Sequence, residues 1–287
     1  MELAKSMPRA NLKSLLLSRW RYYLSSIPTL FLGIRNWQTM LKVFVGVPVS
    51  EPILIELRNG LRYHVRTRMD IWVLKEACID YQYERASVAI QDGWTIIDIG
   101  AGLGDFAISI AKPHPHSTVY AYEPFPDSFE LLQENLRQNQ IENIKAFPQA
   151  IAAQTGSLQL RAVSAEAVQQ STAAAIDTPG AIEVPSVTLD QAFAELGLAR
   201  CDYLKMDCEG AEYGILFNAS PATLDKIDRI CLEYHDDVTA YTHHDLAAFF
   251  EKRNFKIRVT PNLAHWQWGL LYAEKYRSAI NHAEPPE

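Results

Sequence analysis

Positive charge is what this sequence is short of. Its 27 Lys and Arg stand against 34 Asp and Glu, a net charge of −7 over 287 residues. Phosphate recognition needs a basic footprint, so nucleic acid is not expected as the main partner. Cysteine is scarce too. Cys78, Cys201, Cys208 and Cys231 form no CxxC pair and no zinc spacing. Three of them fall in or beside apolar strand patterns, where a free cysteine behaves as a small hydrophobe, and a reducing, cytoplasmic setting is expected. No apolar run reaches the roughly 18 residues needed to span a bilayer. Arg19, Arg21 and Arg35 interrupt every apolar stretch near the N-terminus, so no signal peptide is expected. No internal repeat is visible.

What remains is an ordinary globular composition, 48% hydrophobic and 21% charged, enough for one large core or one domain with an appendage. The charge is uneven. Residues 1–48 hold seven Lys or Arg and one acid, Glu2, which leaves 20 basic and 33 acidic side chains in the rest. Residues 11–45 read as helical, broken near Pro28, with aromatic and basic residues interleaved. A helical cap on the main domain is the favoured reading of this segment. The other is weak contact of residues 1–48 with a membrane surface or a protein partner.

The order along the chain gives three parts: a basic helical segment (1–50), a lead-in (51–90) and a main domain (91–277). In the lead-in, "ILIELRNGLRYHVR" alternates around Asn59-Gly60, a hairpin signal, and a helix is expected from about Asp70 to Ala77. From Trp94 onward, short apolar runs alternate with helical stretches, which implies a mostly parallel sheet covered on both faces. "IKAFPQAIA" is read as the third main strand. The polar stretch 164–181 then interrupts two alternating segments, "SLQLRAV" and "IEVPSVTL", as a surface excursion.

"IIDIGAGLGDF" puts Asp98 near a strand end and glycines at 100, 102 and 104, a turn that lets a ligand approach the backbone. A dinucleotide fingerprint would need glycine at 105, where Asp105 stands, and the acid ahead of the first glycine would repel a pyrophosphate. An acidic start suits S-adenosylmethionine, which has an ammonium and a sulfonium and no phosphate. Glu123 ends the next strand, where a carboxylate can accept from both ribose hydroxyls.

"YLKMDCEGAEYGIL" (203–216) is the anomaly, with Lys205, Asp207, Glu209 and Glu212 in an otherwise apolar strand-to-helix pattern. Asp207 should lie beside Asp98 at the carboxyl edge of the sheet, with Lys205 as a buried ion-pair partner on the same face. Glu209 and Glu212 are divided between the site and a helix first turn, where the dipole favours acids.

In order, "IIDIGAGLGDF", "VYAYEPFPDSFELLQENLRQN", "VTLDQ", "DYLKMDCEGAEYGIL" and "ICLEYH" resemble the FkbM family of S-adenosylmethionine-dependent methyltransferases over about residues 53–274. The K-x-D-x-E-G-x-E run is the specific element. Two departures are Gly102-Leu103, where the family usually has Asn and a small or branched residue, and Asn254, where it often has glycine.

The resemblance implies a Rossmann-like class I sheet of seven mostly parallel strands with helices on both faces, preceded here by the helical segment and the hairpin. It also implies methyl transfer to a hydroxyl of a sugar or natural product. The expected cofactor residues are Asp98, Gly100, Ala101, Gly102, Glu123, Pro124, Ala150 and Asp207. His235, after the fifth strand, is the leading general base and Asp207 the alternative. No metal is assigned, although a divalent ion held by some of Asp207, Glu209, Glu233, His235 and Asp236 is a competing arrangement. His243 and His244 are expected to be exposed, and Trp266 and Trp268 to pack in the core or border the acceptor. The competing functions are a nicotinamide-dependent oxidoreductase and a non-catalytic cofactor-binding protein of the same fold.

Overall fold

The protein is described by a computed structural model covering residues 20, 24, 26–46, 52–161, 181–262, 265 and 267–276. Most of the basic segment, the polar stretch from 164 onward and Trp266 lie outside the described residues, and the expectations placed on them lie there too.

Residues 26–33 are helical straight through Pro28, so the expected break falls later. Ile34 forms an antiparallel bridge with Leu57, Arg35 N–H donates to the Glu56 carbonyl and Arg58 N–H to that of Gly33. This strand-like pairing draws the chain out of its helix, and α1 (Trp37–Phe44) follows. Leu30, Ile34, Met40 and Val43 bury their side chains in the main core, which fits the cap reading for this part of the segment. Among the described residues no helix is long and apolar enough to cross a membrane.

The lead-in forms the expected hairpin. β1 (Ile53–Glu56) pairs antiparallel with β2 (Arg62–Val65), and Gly60 turns with φ +93°. α2 (Arg68–Leu74) starts two residues before the expected position, because Thr67 and Asp70 cap it reciprocally. It widens into one π-helical turn, Lys75–Ile79, before α3 (Gln82–Ala86).

β3 (Thr95–Ile99), α4 (Asp105–Ala111), β4 (Thr118–Tyr122), α5 (Pro126–Asn139) and β5 (Ile144–Phe147) open the main domain. The exposed side of β2 is satisfied by two asparagines one helical turn apart on α5. Asn135 Oδ1 accepts from His64 N–H at 2.6 Å and Asn139 Oδ1 from Arg62 N–H at 2.9 Å, which fastens the lead-in to the domain.

The expected third strand splits. β5 stays in the main sheet, while β6 (Ala150–Ile151) joins β7 (Gly156–Arg161) and β8 (Ala181–Val187) in a separate three-stranded sheet. Pro148, which has no N–H for a ladder, sits at the break. Next come α6 (Leu189–Glu195), β9 (Tyr203–Met206), α7 (Ala211–Asn218), α8 (Pro221–Leu224), β10 (Arg229–His235), α9 (His243–Glu251), β11 (Phe255–Pro261) and β12 (Trp268–Lys275).

The main sheet has seven strands in the order β11-β12-β10-β9-β3-β4-β5, with β12 antiparallel to both its neighbours. Alternate strand residues feed two cores. Ile96, Tyr203 and Cys231 pack on one face with the lead-in, α4 and α5, whereas Ile97, Leu204 and Leu232 pack on the other with α6, α7 and α9. Asp98, Lys205 and Glu233 follow their strand-mates at i−2, so all three point to the face that the lead-in covers. Asn254 has φ +62°, a left-handed conformation that Asn tolerates and glycine adopts freely, which accounts for the substitution seen in the sequence.

Candidate active site

The turn after β3 is built by contact with β9. Gly100 has φ +76°, and a Cβ there would sit inside the van der Waals shell of the Asp207 carbonyl oxygen. No other residue fits against that neighbour. The N–H groups of Gly100 and Ala101 both donate to the Tyr122 carbonyl at 3.0 Å, and Gly102 N–H donates to Glu123 Oε2 at 2.7 Å. Glu123 also accepts from Phe125 N–H at 2.9 Å through Oε1. Burial pushes its carboxyl up to about 7, against the opposing pull of those two N–H groups.

Gly100, Pro124 and Ala150 line one cleft together with Tyr122, Leu158 and Cys208, outside the carboxyl ends of the strands. Glu123, next to Pro124 in the chain, is buried and tied to the turn by the Gly102 N–H. Five expected cofactor residues, Asp98, Ala101, Gly102, Glu123 and Asp207, are not among those that line the cleft. Ala101 is buried and its N–H is engaged by Tyr122. Asp98 has no exposed surface, and its carboxylate meets the Lys205 ammonium at 3.0 Å. Its place on the lead-in face, beneath the turn, is why.

Lys205 also donates to the Gly100 carbonyl at 2.7 Å and lies 5.4 Å from the centre of the Tyr83 ring. Burial alone would lower its pKa, but Asp98, Asp207 and Asp105 more than offset that and hold the ammonium above the usual lysine range. Asp105, at the start of α4, is itself pushed up to about 7 by burial, with Lys205 opposing. Asp207 N–H continues the ladder to the Ile99 carbonyl at 3.0 Å, and Asp207 Oδ2 accepts from Tyr83 O–H at 2.9 Å. Tyr83 comes from α3, before the domain. A lone tyrosine in a short helix gives no signal in the sequence, and only the fold brings it here.

His235 is the last residue of β10 rather than a residue beyond it, and its ring is almost fully buried. Its Nε2 lies 3.4 Å from Glu209 Oε2, and its ring packs edge-on against Trp268 at 5.7 Å. Glu209 reaches it from a left-handed backbone (φ +52°), a strained conformation for a side-chain-bearing residue. Glu212 has the structural role of the two. It is fully buried and accepts from Cys208 N–H at 2.7 Å and Gly210 N–H at 2.8 Å, closing the turn into α7.

A ring nitrogen of His235 and carboxylate oxygens of Asp207 and Glu233 lie within 4.8 Å of one another. Burial, then Asp207, Glu76, Glu209 and Glu212, hold the Glu233 carboxyl well above its ordinary range. Burial also keeps the Cys208 thiol protonated, so it is a wall rather than a nucleophile. Asp236 turns away from this group. It receives His243 N–H and faces His243 Nδ1 at 2.6 Å, so His243 is a packed helix-start residue and not an exposed one. Trp268 borders His235 and donates to Asp237.

Residues 98–257 match the family model described as the methyltransferase FkbM domain. The chain belongs to the FkbM methyltransferase family. It is 27% identical over 211 residues to the 31-O-demethyl-FK506 methyltransferase FkbM of Streptomyces tacrolimicus, covering 63% of this chain and 81% of that protein. It is 24% identical over 260 residues to methyltransferase sdnD of Sordaria araneosa, covering 79% and 98%. The solved methyltransferase FkbM of Methylobacillus flagellatus superposes with a TM-score of 0.47 at 13% identity, over 71% of this chain and 53% of that one. Within this FkbM-family chain the K-x-D-x-E-G-x-E run has separable parts. Lys205 braces the turn, Asp207 accepts from Tyr83, Glu209 meets His235 and Glu212 closes the loop.

Proposed function

We propose that this FkbM-family methyltransferase uses S-adenosylmethionine to methylate a hydroxyl oxygen of a small molecule, a sugar or a natural product. The observation that carries the cofactor assignment is the direction of the N–H groups in the glycine turn. Those of Gly100, Ala101 and Gly102 point inward, to Tyr122 and Glu123, and none is left to cradle a pyrophosphate. A ligand without phosphate suits that turn. Glu123 would take the ribose hydroxyls, Pro124 and Ala150 would flank the adenine, and the acidic edge at Asp207 suits a cationic amino-acid end.

Bound there, S-adenosylmethionine supplies an electrophilic methyl on a sulfonium that becomes a neutral thioether when the methyl leaves. The chain must hold the acceptor oxygen in line, exclude water and take the hydroxyl proton. Orientation alone is worth up to roughly 7–11 kcal/mol, and removal of the proton about 10²–10⁴-fold in rate. Asp207, Glu233 and His235, whose ligand atoms lie within 4.8 Å of one another, are the groups assigned to take that proton, directly or through a group they hold. The oxygen acceptor is supported by the name of the Streptomyces relative, a 31-O-demethyl-FK506 methyltransferase.

Calorimetry with S-adenosylhomocysteine and with NAD(H) tests the cofactor. Micromolar binding of the first and none of the second is expected, and the reverse would end this reading. Labelled S-adenosylmethionine offered with hydroxyl, amine and carbon acceptors tests the rest, and transfer confined to amines or carbon would overturn the hydroxyl assignment.

A further inference from the structure

We propose that Asp207, Glu233 and His235 form a binding site for a divalent cation. The sequence pattern assembles the three at one point. Glu233 and His235 are two apart on β10 and share a face, and Leu232 pairs with Met206 on the parallel strand β9, so Asp207 arrives level with Glu233. Their ligand atoms lie within 4.8 Å of one another, in a triangle that a single ion can bridge.

An independent observation concerns the imidazole. His235 is only 3% exposed, yet its Nδ1 makes no hydrogen bond. Its acidic neighbours are at ion-pair range only, Glu209 at 3.4 Å from Nε2 and Glu212 at 3.9 Å from Nδ1. A buried ring nitrogen without a partner costs free energy, and in native sites such atoms generally meet a ligand, an ion or water.

The charges point the same way. Two carboxylates converge on one imidazole with Glu209 beside them, while Lys205 is already engaged by Asp98 at 3.0 Å and by the Gly100 carbonyl at 2.7 Å. Tyr83 O–H holds Asp207 Oδ2 at 2.9 Å and so fixes that carboxylate's direction, as the outer partners of metal ligands do. Two carboxylates and one imidazole suit Mn²⁺, which accepts both ligand types. The site stands on the chain's own residues. What the ion would do rests on the methyltransferase reading: it would acidify an acceptor hydroxyl as a Lewis acid, with His235 a ligand rather than a free base.

The test is a Mn²⁺ titration of the chelator-treated full chain, followed by electron paramagnetic resonance, with S-adenosylhomocysteine binding measured on the same samples. Wild type should bind one Mn²⁺, and Glu233→Gln and Asp207→Asn should each weaken it at least about tenfold. Asp237→Asn, an exposed acid close by in the chain but outside the triangle, should leave Mn²⁺ affinity unchanged. Thermal unfolding verifies that each variant is folded, and His235→Gln replaces any that is not. Equal Mn²⁺ affinity in wild type and Glu233→Gln, no binding by wild type, or an equal loss in Asp237→Asn would each overturn the site. Mn²⁺ binding without S-adenosylhomocysteine binding would leave the metal site standing and remove the cofactor reading alone.

Discussion

The Lys205 ammonium lies 3.0 Å from Asp98 Oδ1 and donates to the Gly100 carbonyl at 2.7 Å, with both side chains sealed from solvent. This contact joins the charged strand to the glycine turn and holds Asp98 fully buried, away from the residues that line the cleft. A buried pair of this kind contributes little net stability over an apolar substitute, because desolvation offsets the attraction. Breaking it is different, since one charge is left alone in the core.

Lys205→Met is therefore expected to cost about 3–5 kcal/mol of folding free energy by leaving Asp98 buried without its partner. Adding Asp98→Asn should recover most of that loss. Guanidinium unfolding of the two single variants and the double variant measures the coupling. Additive losses would show that the pair does not act as a unit.

Gly100→Ala should separate local geometry from overall stability. The new methyl would overlap the Asp207 carbonyl oxygen, a backbone atom just after β9 that cannot swing aside, and the residue would also be strained at φ +76°. The turn and Asp207 must then part. S-adenosylhomocysteine affinity is expected to fall at least about tenfold, the equivalent of about 1.4 kcal/mol, in a protein whose circular dichroism still shows the full sheet. Unchanged affinity would show that the turn does not shape the cofactor site.

Much of this architecture was legible because it rests on local patterns. The apolar runs from Trp94 onward, the Asn59-Gly60 turn and the order of the motifs give the seven-stranded sheet and the hairpin. The Lys205 ion pair followed from the cost of burying a lysine. Periodicity cannot show which face of a strand will be covered, or by what. Asp98 reads as a cleft acid until the lead-in is seen to cover its face, and Ala101 looks accessible until its N–H is traced to Tyr122. The split at Pro148 depended on a second sheet whose pairing is not local. Tyr83 and Glu76 reach the site across more than a hundred residues of chain, a separation at which one sequence carries no contact signal.

Tyr83→Phe tests whether the lead-in positions Asp207. The ring, packed 5.3 Å from Phe106, stays, and only the hydroxyl that donates to Asp207 Oδ2 is lost. A hydrogen bond to a charged group is worth about 1.5–3 kcal/mol. The expected outcome is a fall in kcat of roughly tenfold or more, within that range, with cofactor KM close to wild type. The same substitution should weaken Mn²⁺ binding, because Asp207 would no longer be held in one direction. A change in KM alone would place Tyr83 with the cofactor instead of with Asp207.

Glu123 makes stability depend on pH, and the sign is fixed. Its ordinary value is 4.5 and burial raises it to about 7 in the folded protein. Between those values the native state keeps a proton that the unfolded chain has released. The stabilisation is therefore fully present below about pH 4.5 and is lost as pH rises through about 7. At 1.36 kcal/mol per pKa unit the loss is on the order of 3 kcal/mol. Glu123→Gln cannot titrate, and it also gives up one of the two N–H bonds from Gly102 and Phe125, so it should be less stable than wild type at acidic pH. On going to about pH 8 that deficit should shrink or reverse, because only wild type develops the buried charge. Guanidinium unfolding of both proteins near pH 4.5 and pH 8 checks it, with parallel stability curves as the outcome that would rule out a raised Glu123.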